Sequence, residues 1–211
     1  MKKFIDRKDA GRQLAQSLQS YQNNPNVIVL GLPRGGVPVA FEIANALHTP
    51  LDVFIVKKLG VPGYEEIAMG AISTDDNLVL NDQVIQNFHI SQTAINQAVA
   101  EKKKEVLAAN ALFRQNKAQR KLDGKIVILV DDGIATGATI KVAVKALQQL
   151  HPKEIIIATP VIPRELYQDI KSLTNELVAL LIPDDFIAVG NWYNDFSQTS
   201  NQEVLKLLAP P

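Results

Sequence analysis

Residues 125–139 read KIVILVDDGIATGAT, and this stretch decides the fold. An unbroken apolar run, rich in β-branched residues, ends on two adjacent carboxylates, Asp131 and Asp132. A short continuous run of this kind reads as a strand buried on both faces, as in a parallel sheet. The residues after the acids are small and permissive, and they open into helix-compatible sequence over 136–151. Adjacent acids repel each other, and an apolar strand gains nothing by ending on them. A ligand or a cation has to make the arrangement worth its electrostatic cost.

The same alternation extends outward in both directions. Towards the N-terminus, 27–32 (VIVLGL) predicts a buried strand, 36–48 a helix with Pro38 in its first turn, and 51–59 (LDVFIVKKL) the next strand. A helix over 9–21 precedes them and stops at NNPN, 23–26. Towards the C-terminus, 153–162 predicts a strand, 163–173 a helix opening on Pro163, and 176–183 the last strand. Between the halves, 60–81 holds Gly60, Pro62 and Gly63 and then two short apolar runs. It predicts a mobile loop followed by a β-hairpin. Residues 91–115 predict a long helix capped by Ser91, with EKKKE on a solvated face. The expected fold class is α/β, a doubly wound parallel sheet in one domain. Its core covers about 25–183, and a hood covers about 184–211 with the helix 9–21.

Composition narrows the function classes. Of 211 residues, 46% are hydrophobic and 21% charged, enough apolar matter for a sizeable core. Lys plus Arg and Asp plus Glu both number 22, so overall charge supplies no attraction to a polyanion and nucleic acid is not an expected partner. The absence of cysteine excludes disulfides, thiolate metal sites and a Cys nucleophile. No apolar run approaches the roughly 20 residues that span a bilayer. The start of the chain lacks the apolar core of a secretory signal, so a cytoplasmic location is expected. His48, His89 and His151 lack metal-ligand spacing.

Three kinds of site place acids at a strand's carboxyl end. A nucleotide hydrolase would need G-x-x-x-x-G-K-[ST], which is nowhere in the chain. A phosphoacceptor receiver domain carries its acids near its start, whereas here most of the sheet comes first. A phosphorylated-sugar site suits the residues best. Turn amides at Ala135, Thr136, Gly137, Ala138 and Thr139, with a helix N-terminus behind them and two threonine hydroxyls, form a monophosphate site. The two carboxylates accept hydrogen bonds from a vicinal diol, strengthened by their charge. Ribose 5-phosphate fits both halves.

The string of apolar strand, two acids and Thr-Gly-x-Thr resembles the 5-phosphoribosyl 1-pyrophosphate (PRPP) motif of the type I phosphoribosyltransferases. The likeness covers most of the chain, and it is greatest to a group of stand-alone members sharing KLGVPG…AMGAI and a VG-x-W-Y-x-DF tail. It implies that GLPRGGVPVA, 31–40, is a pyrophosphate loop acting through Arg34, Gly35 and Gly36, with a cis non-proline peptide near Pro33–Arg34–Gly35. It implies that Lys57 or Lys58 reaches pyrophosphate; the two alternate on a strand, and Lys58 is slightly favoured as nearer the strand end. It implies a hood in which Phe186, Trp192 or Tyr193 stacks on the acceptor and Asp195 serves a second metal. The family's acid would itself fall on Asn194, and an aromatic cluster at a chain end equally serves as a packing plug.

The implied activity is Mg²⁺-dependent transfer of the phosphoribosyl group from PRPP to a small nitrogenous acceptor. Asp131 and Asp132 would meet the metal through water, Arg34 and one lysine would stabilise the leaving group, and closure of 60–70 would exclude water. Members acting on 6-oxopurines carry an acid where this chain has Ala135, which argues against that acceptor class. A homodimer is expected. The competing readings are a PRPP-binding sensor and a PRPP or sugar-phosphate hydrolase.

Overall fold

The computed structural model describes residues 3–74, 77–115 and 120–209. In chain order the first elements are α1 (Arg7–Ser17), β1 (Val27–Gly31), α2 (Gly36–Leu47), β2 (Leu51–Val53), β3 (Val56–Val61), β4 (Tyr64–Ser73) and β5 (Leu78–Leu80). Next come α3 (Asp82–Asn87), α4 (Gln92–Arg114), β6 (Ile126–Val130), α5 (Ala138–Gln148), β7 (Glu154–Val161), α6 (Arg164–Lys171), β8 (Glu176–Leu181) and α7 (Asn201–Leu207). The chain divides into two compact units. One comprises Met1–Phe54, Gln119–Gly137 and His151–Pro211; the other comprises Ile55–Ala118 and Ala138–Leu150.

The first unit is built on a five-stranded sheet of order β2-β1-β6-β7-β8, parallel throughout. Every residue of β1 and β6 is buried, the outcome expected of apolar runs with no polar alternate positions. On one face, Val27, Val29, Ile126, Ile128, Val130 and Ile156 pack with Leu14 and Leu18 from the first helical segment and with Val39, Ile43 and Leu47 of α2. The two helices approach so closely at Gly11 that a Cβ there would lie 2.7 Å from the Val39 carbonyl oxygen.

Strand order places the ligand end of this sheet. From β1 the chain moves outward to β2, and later returns to lay β6 on the opposite side of β1. The order therefore reverses between β1 and β6, the position at which open α/β sheets bind ligands beyond their strand carboxyl ends. Register aligns those ends: Gly31 pairs with Val130, and Val130 with Ala158. The Leu32 amide donates to the Val130 carbonyl at 2.9 Å, so the loops after β1 and β6 leave the sheet side by side.

The second unit is a three-stranded antiparallel sheet, β3-β4-β5, with α4 and α5 packed on β3 and β4. Two expectations are corrected here. The run 51–59 is not one strand, because β2 ends at Val53 and β3 begins at Val56 in the other sheet. Phe54 and Ile55 are both buried, so the pattern stays apolar through the change and carries no mark of it. Residues 60–70 are not a loop before a hairpin but the hairpin itself, turning at Pro62 and Gly63, where Gly63 has φ +80°. Tyr64 to Ile67 are all exposed, which removes the period-2 signal of a half-buried strand. The helix α3, capped by Asn81, has only 6 residues, too few for a helical period to show in the sequence. No helix among the described residues is long and apolar enough to cross a membrane.

Candidate functional site

The acid pair stands where β6 leaves the sheet. Asp131 Oδ1 accepts the Asp132 amide at 3.0 Å, and Asp132 Oδ2 accepts Arg7 Nε at 2.7 Å. Tyr193 Oη donates to the Asp132 carbonyl at 2.6 Å. These contacts tie down the backbone and one oxygen of each carboxylate. Asp131 Oδ2 and Asp132 Oδ1 have no hydrogen-bond partner among the described residues.

Burial, reinforced by the charge of Asp132, raises the Asp131 carboxyl well above the ordinary carboxylate range. The Asp132 amide and Arg7 oppose this without cancelling it. Asp132 is also raised by burial, with Arg7 pulling the other way. Burial first, and then Asp132, pushes the Tyr193 hydroxyl upward, so Tyr193 stays a neutral donor.

Arg7 is the residue that sequence reasoning missed. It is the first residue of α1, whose N-cap Asp6 accepts the Asp9 amide. Its guanidinium also donates through Nη1 to the Ser197 carbonyl at 2.7 Å and lies 3.9 Å from the centre of the Phe196 ring. The Arg7 and Asp132 side chains are 12% and 15% exposed, so solvent screens this ion pair far less than a surface one. The sequence carries no signal for it, because the helix read there starts at 9 and leaves Arg7 outside its first turn.

The loop after β1 lies against the acids. The peptide between Pro33 and Arg34 is cis, as the resemblance implied. A Cβ at Gly35 would collide with Asp132 Oδ2, and one at Gly36 would sit 2.5 Å from the Val130 carbonyl oxygen. Both positions therefore require glycine for the acids to be where they are. The Gly36 amide donates to the Leu32 carbonyl at 3.0 Å, so it is not free for an anion, whereas the Gly35 amide has no partner among the described residues. The Arg34 side chain makes no hydrogen bond or ion pair with any described residue.

The turn after the acids is anchored by Ile134, which is buried and donates to the Val161 carbonyl. Ala135, Thr136 and Thr139 are exposed, and Gly137 takes φ +72°, a conformation that glycine adopts without steric cost. Helix α5 begins at Ala138 rather than 136, leaving Thr136 and Gly137 in the turn.

The hood residues divide. Trp192 and Tyr193 are buried with Phe4, Ala10 and Val161, and Tyr193 also touches the Phe4 and Phe196 rings. Their rings are occupied by packing, the plug reading of this cluster. Phe186 is only partly buried against the same cluster. Asp195 Oδ1 accepts the Ser197 amide at 2.9 Å, the main reason its carboxyl is lowered. The N-terminal segment runs beside this tail: Phe4 donates to the Trp192 carbonyl, and Asn194 and Asp195 donate back to Phe4 and Ile5. Gly133 is covered from the same side, since a Cβ there would collide with Val189 Cγ1.

Lys57 and Lys58 belong to the second unit. Lys57 pairs with Glu105 at 3.2 Å, and Glu105 is also held by Lys102 at 2.6 Å. Lys58 pairs with Glu66 at 3.4 Å, and that carboxylate is 91% exposed. No group of three His, Cys, Asp or Glu side chains gathers among the described residues. A metal held by protein ligands alone is therefore not what this donor set suits. Two carboxylates fit a hard cation that keeps most of its waters and takes its other ligands from substrate phosphates.

Known proteins share both the sequence and the fold. The sequence model of a family described as "Phosphoribosyl transferase domain" matches residues 5–190. Two Mycobacterium tuberculosis proteins, from strains CDC 1551 and H37Rv, carry the name "Putative phosphoribosyl transferase". Each is 44% identical over 208 residues, covering 99% of this chain and 47% of the relative. The chain thus spans about half the length of the curated relatives it matches. The crystal structure of TT1426 from Thermus thermophilus superposes with a TM-score of 0.90 at 36% identity, covering 99% of this chain and 98% of that one. The protein AQ2163 of Aquifex aeolicus shares the fold alone, with a TM-score of 0.53 at 13% identity, covering 87% of this chain and 78% of that one.

Proposed function

Since the chain belongs to the phosphoribosyl transferase domain family, we propose that it transfers the 5-phosphoribosyl group of PRPP to a nitrogenous acceptor, releasing pyrophosphate with Mg²⁺ present. One observation carries the reading: two adjacent carboxylates stand at the reversal point of the sheet, each with one uncommitted oxygen. Asp132 Oδ1 is the acceptor for the 2-hydroxyl of the ribose and Asp131 Oδ2 the acceptor for its 3-hydroxyl. The turn 135–139 supplies amides and the hydroxyls of Thr136 and Thr139 to the 5-phosphate. Arg34 and the Gly35 amide receive the pyrophosphate.

The reaction breaks the bond between ribose C1 and the pyrophosphate oxygen, and the electron pair leaves with pyrophosphate. A lone pair on the acceptor nitrogen forms the new bond to C1. Positive charge develops on the sugar, and the neighbouring carboxylates favour it. Asp131 and Asp132 would hold Mg²⁺ through water, and when bound it supplies charge neutralisation to the departing pyrophosphate. Ala135 brings no acid to the turn, so the acceptor proposed is an adenine-like base, a pyrimidine or another nitrogen compound, not a 6-oxopurine. A homodimeric state and a cytoplasmic location are proposed with it.

The burial of Trp192 and Tyr193 favours a second reading, hydrolysis of PRPP or a related sugar phosphate, because it removes two of the three candidate stacking rings. Pyrophosphate release measured with PRPP, Mg²⁺ and a panel of bases separates the readings. Acceptor-dependent release supports transfer; release without acceptor supports hydrolysis; tight PRPP binding without release makes the protein a sensor. In the same assay Lys58→Ala is expected to lower turnover at least tenfold and Lys57→Ala by less. The reverse order would reassign the pyrophosphate lysine.

A further inference from the structure

Nothing in the PRPP reading assigns a role to Arg7, yet its guanidinium is held on three sides: by Asp132 Oδ2, by the Ser197 carbonyl and by the Phe196 ring. The backbones on either side of it are tied as well. Residues 4 and 5 pair with 192–195, the Tyr193 hydroxyl reaches the Asp132 carbonyl, and Asp6 caps the helix that Arg7 begins. An arginine so immobilised has a fixed fork, and a fixed fork dictates the rotation of the carboxylate that it grips.

We propose that Arg7 is a positioning residue for ribose recognition: by taking Asp132 Oδ2, it turns Oδ1 of the same carboxylate towards the sugar diol. The proposal rests on the PRPP reading of the site. Three observations support it. Gly35 leaves no Cβ on the Oδ2 side of Asp132, and a methyl group there would meet that oxygen. Asp131 is oriented in parallel fashion, with Oδ1 committed to the Asp132 amide. Each carboxylate thus offers one oxygen, the number that a two-hydroxyl ligand needs. Arg7 also supplies a cation to two adjacent acids when no ligand is bound. Because the guanidinium is partnered on its other side by the tail, its task is to hold Asp132, not to touch the substrate.

The test compares two ligands that share the phosphate and differ in the diol. Binding of ribose 5-phosphate and of 2-deoxyribose 5-phosphate, each with Mg²⁺, is measured by calorimetry on the whole chain. The wild type should prefer ribose 5-phosphate by about tenfold, the worth of a hydrogen bond to a charged acceptor. Arg7→Gln should reduce that preference to about twofold or less while leaving 2-deoxyribose 5-phosphate binding nearly unchanged. Phe196→Leu keeps the arginine but removes the ring beneath it, and should lower the preference in the same direction by a smaller factor. It also provides the reading should Arg7→Gln fail to fold. An unchanged preference in the variants, or an equal loss for both ligands, would overturn the positioning role and leave the PRPP site standing. Failure of the wild type to bind either ligand would remove both readings together.

Discussion

Burial and a neighbouring carboxylate both load Asp131 electrostatically: it is ionisable, stands beside Asp132, and is only indirectly helped by Arg7. Because its value is raised, the folded state keeps this proton to higher pH than the unfolded chain does. Stability from Asp131 is therefore present at low pH and declines as pH rises through the folded value. An amide at this position can still accept the Asp132 N–H but carries no charge. Asp131→Asn should therefore raise the melting temperature at pH 7 by about 2–4 °C, roughly 1 kcal/mol, and abolish ribose 5-phosphate binding. The gain over wild type should shrink as pH is lowered. Thermal melts of both proteins between about pH 4.5 and 8 check it, and a variant less stable than wild type at pH 7 would show that this acid stabilises the empty fold. The pair itself was legible in the sequence because two adjacent acids after an apolar run are unusual locally. Its counter-ion was not, because nothing near 131 in the chain announces residue 7.

Apart from β2, the strands of the parallel sheet were legible to within a residue or two, since β1, β6 and β7 are apolar on both faces and β1 and β6 end at glycine or acid. The N-terminal helix was legible less well: it starts at Arg7 rather than 9, and its last turn, Gln19–Tyr21, is a 3₁₀ helix. Its position depends on a close crossing. At Gly11 an added Cβ would lie 2.7 Å from the Val39 carbonyl oxygen of α2 and 2.8 Å from Glu42 Cβ, so the helices would have to separate. Gly11→Val should destabilise the protein by about 1–3 kcal/mol, seen as a lower denaturant midpoint. Because α1 begins at Arg7, the same change should weaken ribose 5-phosphate binding. A variant of normal stability would mean that α1 can shift on α2 without cost. Elements of the second unit were less legible. The exposed start of β4 lacks alternation, and the irregularity at Gly60 shifts the β3–β4 register where no pattern in the sequence marks it.

At the scale of the whole molecule, equal numbers of acidic and basic residues mean that binding an anionic sugar phosphate depends on local donors, not on a long-range field. Ligand binding should then appear as stabilisation by mass action. PRPP with Mg²⁺ at about 100 times its dissociation constant should raise the melting temperature by roughly 5–10 °C. Asp132→Asn should lose that shift. A wild-type protein whose melting is indifferent to millimolar PRPP would refute the site. The sequence by itself determined the parallel α/β sheet, the acid pair and the small-residue turn that follows it, because buried-strand patterning and turn chemistry are written in consecutive residues. Only the tertiary structure decided that Arg7 holds Asp132 from 125 positions away, that Trp192 and Tyr193 pack inward, and that the run 51–59 serves two sheets. Each of these depends on which distant surfaces meet, and an apolar or charged side chain looks the same in sequence whichever partner it finds.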